Sequence, residues 1–107
     1  MSTSFEKAIR AQFGNRIPFK KSFLVTDVSG FKFYAEKKSL RDIFYIAIPV
    51  KISIGGDFYY GFDHIKINHG KTERCGLPSI DYEGVTDARD LVEANTKALG
   101  RELCINF

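Results

Sequence analysis

Between residues 43 and 54 apolar side chains recur at every second position: Phe44, Ile46, Ile48, Val50, Ile52 and Ile54. A period of two marks a strand with one buried face. The opposite set reads Ile43, Tyr45, Ala47, Pro49, Lys51 and Ser53. Pro49 has no N–H to give to a neighbour, which places this strand at a sheet edge there or bulges it. Gly55-Gly56-Asp57 is the turn that follows. Upstream, Ser22–Val28 and Phe31–Lys37 are strand-like runs joined by Ser29-Gly30, where glycine supplies the positive φ of a tight hairpin. Residues 37–42 then form a polar connector. The run Phe58–Asn68 changes phase: Phe58, Tyr60 and Phe62 share one face, Ile65 and Ile67 the other. Gly61 stands between them and is expected to host a bulge that re-aims the side chains. His69–Val85, rich in Gly, Pro, Asp and Ser, reads as a long loop.

Helical spacing appears at both ends of the chain. Phe5, Ala8, Ile9 and Phe13 make one apolar stripe, preceded by Thr3 and Glu6 at capping-box spacing. Gly14 and Asn15 stop that helix, and Pro18 follows. A second helix starts near Thr86 or Asp87, with Ala88, Leu91, Val92, Leu99 and Leu103 as its stripe. Asn95 falls inside the stripe, so its amide is expected to find a hydrogen-bond partner. The expected architecture is therefore α+β in the order α-β-β-β-β-α: a four-stranded antiparallel sheet with both helices on one face, residues 1–107 forming one domain.

Composition narrows the function classes. A chain of 107 residues with 44% apolar and 27% charged side chains is long enough for one core without staples. Its two cysteines, Cys75 and Cys104, are expected to be free thiols. No signal-peptide pattern and no run of about 18 apolar residues is present, so a cytoplasmic protein without a membrane partner is the expectation. The net charge of +3 is unevenly placed. Residues 1–53 carry ten basic and four acidic side chains, residues 54–107 six basic and nine acidic.

Candidate chemistry is sparse. Asp63, His64, His69, Glu73 and Cys75 crowd together, but no paired metal-ligand spacing appears, and strand alternation sends His64 and His69 to opposite faces. Neither a metal nor a cofactor is expected. Cys75 beside Arg74 has a neighbour that favours a thiolate, and His64 could serve as base; a small enzyme using Cys75 or His64 is the third reading. Gly30-Phe31-Lys32-Phe33-Tyr34-Ala35 resembles the aromatic strand of RNA-recognition motifs, where rings stack on bases. That family places a helix between its two aromatic strands, whereas here a tight hairpin stands. The helix–sheet–helix order is similar to double-stranded-RNA-binding domains, whose last helix begins with a basic cluster; here that place reads Asp87-Ala88-Arg89-Asp90. What remains is a basic zone of Lys20, Lys21, Lys32, Lys37, Lys38 and Arg41 with interleaved rings, the basis of a nucleic-acid-binding alternative.

With both helices on one face, the other face shows Tyr34, Tyr45 and one of Tyr59 or Tyr60. An open tyrosine face suits a protein interface better than a solvated surface. The expectation is a non-catalytic module that binds another protein through these tyrosines, a homodimer through the same face included. Its size and lack of a catalytic constellation are similar in style to accessory inhibitors of phages and plasmids, anti-CRISPR proteins among them, although no residue motif carries that likeness.

Overall fold

The computed structural model describes residues 4–13, 22–37 and 43–106, with Ser4, Gln12, Phe13 and Lys37 described in backbone only. Thr3, the helix stop at Gly14-Asn15, Pro18 and most of the polar connector lie outside the described residues. So do four of the basic candidates, Lys20, Lys21, Lys38 and Arg41.

The elements in chain order are α1 (Ser4–Phe13), β1 (Phe23–Thr26), β2 (Lys32–Lys37), β3 (Ile43–Ile54), β4 (Asp57–Asn68), β5 (Lys71–Arg74), β6 (Ser79–Ile80), α2 (Ala88–Leu99) and β7 (Cys104–Asn106). The class is α+β, but the described residues form a sheet of seven strands, not four. Two of the additional strands lie in the span expected to be a loop. His69 and Gly70 both take positive φ, 50° and 82°, and close a two-residue hairpin between β4 and β5. The third is β7, in the span expected to extend the last helix. That helix stops at Leu99, where Gly100 takes φ 72° and donates its N–H to Thr96 O.

The frame is the β3–β4 hairpin, twelve residue pairs in continuous register from Ile43↔Asn68 to Ile54↔Asp57. Its flanks are shared. On the β3 side, β2 pairs antiparallel with Phe44–Ala47 and β7 pairs parallel with Lys51–Ser53. On the β4 side, β5 pairs with Ile65–Asn68 and β6 with Gly61 and Phe62. Between β2 and β7 the flank of β3 is open at Pro49, so the edge expected from that proline is where it stands.

No bulge occurs at Gly61. The phase change in β4 has another cause, which is that different faces of one regular strand are covered along its length. One face carries Val25, Phe33, Ala35, Phe44, Ile46 and Ile67, packed around Ile9 of α1. Phe5 joins them, its ring 4.9 Å from Phe33 and 5.3 Å from Phe31. Burying a side chain such as Phe33 contributes about 2–3 kcal/mol. The opposite face carries Tyr34, Ala47, Tyr60 and Phe62, packed against Ala88 and Leu91 of α2. The helices therefore do not share one face. Gly61 is required for a different reason: a Cβ there would lie 2.0 Å from the carbonyl oxygen of Ser79 in the adjoining strand β6.

Helix α2 sits where β2 and β3 part. Its last residue, Leu99, and Leu103 beyond it reach the α1 cluster. Continuing the β2–β3 register would set Lys32 opposite Pro49, which cannot donate. Asn95 takes over there, accepting from Lys32 N at 2.7 Å and donating to Lys32 O at 2.8 Å. The amide of a buried side chain thus replaces a missing strand, and the partner expected for Asn95 is backbone.

Candidate functional site

What α2 leaves uncovered of the tyrosine face is a trough rather than an open sheet. Strands β2, β3 and β4 form its floor with Tyr34, Ala47, Phe62 and His64, while Ser79 and the Val85–Asp87 segment form one wall and Ser22 the other. This cavity measures about 460 Å³. A second of about 210 Å³ shares Ser22, Tyr34, Ala47 and His64 with it and adds Glu36 and Tyr45. The two are one continuous depression along the sheet. Leu24 stands opposite Tyr34 on this face and is 42% exposed, and Val85 at the wall is 73% exposed, so apolar surface borders the trough.

The wall is built by one aspartate. Asp81 accepts from Val85 N at 2.9 Å and Thr86 N at 3.2 Å, and its Oδ2 lies 3.5 Å from Ala88 N at the start of α2. Partial burial works to raise its pKa, but hydrogen bonds from the Thr86 side chain and from the Thr86, Val85 and Ala88 N–H groups outweigh it. Its carboxyl is held below the ordinary carboxylate value. Asp81 thereby does the capping expected of Thr86 or Asp87. Asp87, the residue before the helix, takes a left-handed conformation (φ 55°, ψ 24°) and makes no capping bond with its side chain. Asp87 lines both the trough and a neighbouring cavity of about 290 Å³ bounded also by Tyr60, Asp81 and Asp90.

His64 Nε2 and Ser79 Oγ share a hydrogen bond of 2.8 Å inside the trough. A nucleophilic serine needs donors for the developing oxyanion as well as a base. The N–H groups of Val85, Thr86 and Ala88 beside it already go to Asp81. The pair fixes the wall against the floor.

The predicted tyrosines separate. Tyr34, Tyr45 and Tyr60 lie on one face, all half-buried. Tyr34 and Tyr45 line the trough, and Tyr60 packs beneath α2. Tyr59 pairs with Ile52 on the opposite face, where its ring meets Tyr82 edge-on at 6.0 Å. Of the basic candidates, Lys32 donates from Nζ to Thr26 at 3.0 Å on the hairpin, and Lys37 is described in backbone only. Arg74 turns to Asp63 at 3.0 Å, and the N–H of Cys75 donates to His64 O at 2.7 Å. The guanidinium and imidazole expected beside the Cys75 thiol are thus engaged elsewhere. Both cysteines are free. Among the described residues no group of three metal-ligating side chains forms, and no helix is long and apolar enough to cross a membrane.

No protein-family model, curated protein or solved structure matches the chain.

Proposed function

We propose that the chain is a non-catalytic binding module that receives a segment of another protein in the trough floored by Tyr34, Ala47, Phe62 and His64. The observation that carries this reading is the trough itself, a concave, aromatic-floored depression of about 460 Å³ bordered by exposed Leu24 and Val85. Tyrosine and phenylalanine offer large contact area at low entropic cost, and anchoring side chains of a partner favour such pockets. The tyrosine interface is narrowed to Tyr34 and Tyr45, with Tyr60 supporting α2 from beneath. A module of this kind acts by occluding its partner's surface, the mode an accessory inhibitor of phage or plasmid type would use.

The test is affinity capture from host lysate with nuclease present, comparing the wild type with two variants. Ser22→Trp fills the trough from its exposed rim without adding charge. Thr72→Trp places the same ring on the exposed edge strand β5, away from the trough. A specific protein held by the wild type and by Thr72→Trp, and lost with Ser22→Trp, supports the reading. Equal capture by all three removes the trough from it.

A further inference from the structure

We draw no further inference here: the strongest candidate, the apolar cavity of about 190 Å³ lined by Ile52, Ile54, Leu77, Pro78 and Ile80 on the sheet face opposite the trough, is an unpartnered apolar surface, and nothing in the structure shows what covers it.

Discussion

Two residues hold the wall of the trough in place, and each acts through a contact distant from its neighbours in sequence. Gly61 lets β6 pair closely with β4, and a methyl group there would press to 2.0 Å on the Ser79 carbonyl. Gly61→Ala should lower stability by about 1–3 kcal/mol in urea denaturation, since backbone and not a flexible side chain must give way. It should also disturb the amide resonances of Ser79 and His64, because the displaced strand carries the hydroxyl that bonds the imidazole. Asp81 supplies the pH dependence. Its folded pKa is depressed, so its contribution to stability is fully present above the ordinary carboxylate range and is lost as pH falls through the folded value. Asp81→Ala should therefore melt at a lower temperature than wild type at pH 7, with the gap closing in thermal scans taken at successively lower pH below the ordinary carboxylate value. The sequence made Gly61 conspicuous but not its purpose, because a glycine that admits a bulge and one that admits the close approach of a neighbouring strand look alike. The N–H groups that Asp81 holds were not legible: they lie four to seven residues downstream and meet it only once the 81–88 segment is folded.

The long strand and both helices were legible from periodicity because each presents an apolar stripe, interrupted in α2 by Asn95. The short strands were not. Lys71–Arg74 has four exposed polar side chains and no alternation, β6 is two residues long, and β7 three. Only the backbone pairing defines them, and one available signal was missed, the Asn68-His69-Gly70-Lys71 sequence of a primed turn. The phase change in β4 was misread as a bulge because cover on alternate faces along a regular strand yields the same pattern. Beside its apolar contacts, one amide ties α2 to the sheet. Asn95→Ala would leave the N–H and carbonyl of Lys32 without their partner and should cost about 2 kcal/mol in denaturant titration, with Lys32 losing its hydrogen-exchange protection. Topology also fixes the state of the thiols. Cys75 flanks β4 beside His64, whereas Cys104 flanks β3 opposite Lys51. Three strand spacings of about 4.8 Å separate them, roughly 14 Å and well beyond the 7 Å a disulfide tolerates between Cα atoms. Native protein treated with iodoacetamide should gain mass for two alkylated cysteines, Cys104 first, and mild oxidation should give no intramolecular bridge.

At the scale of the whole molecule, the trough exists because two apolar clusters share one pair of strands. The α1 cluster draws on Phe44, Ile46 and Ile67, and the α2 cluster on Ala47 and Phe62, all from β3 and β4. Helix α2 touches both, through Leu91 on one side and Leu99 on the other. Neither cluster could unfold while leaving the other its strands, so the protein should melt as one unit despite having two cores. Phe33 is fully buried in the first and Leu91 nearly so in the second. Phe33→Ala and Leu91→Ala should each cost about 3 kcal/mol, and each should shift the entire transition rather than part of it. In calorimetry the measured and van't Hoff enthalpies should agree for the wild type and for both variants. Two resolved transitions, with Leu91→Ala lowering only one, would show that the α2 side folds as a separable unit. In that case the trough could open without loss of the α1 core. Strict two-state melting instead holds the floor and wall of the trough at the stability of the whole domain, and a partner then meets a site already formed.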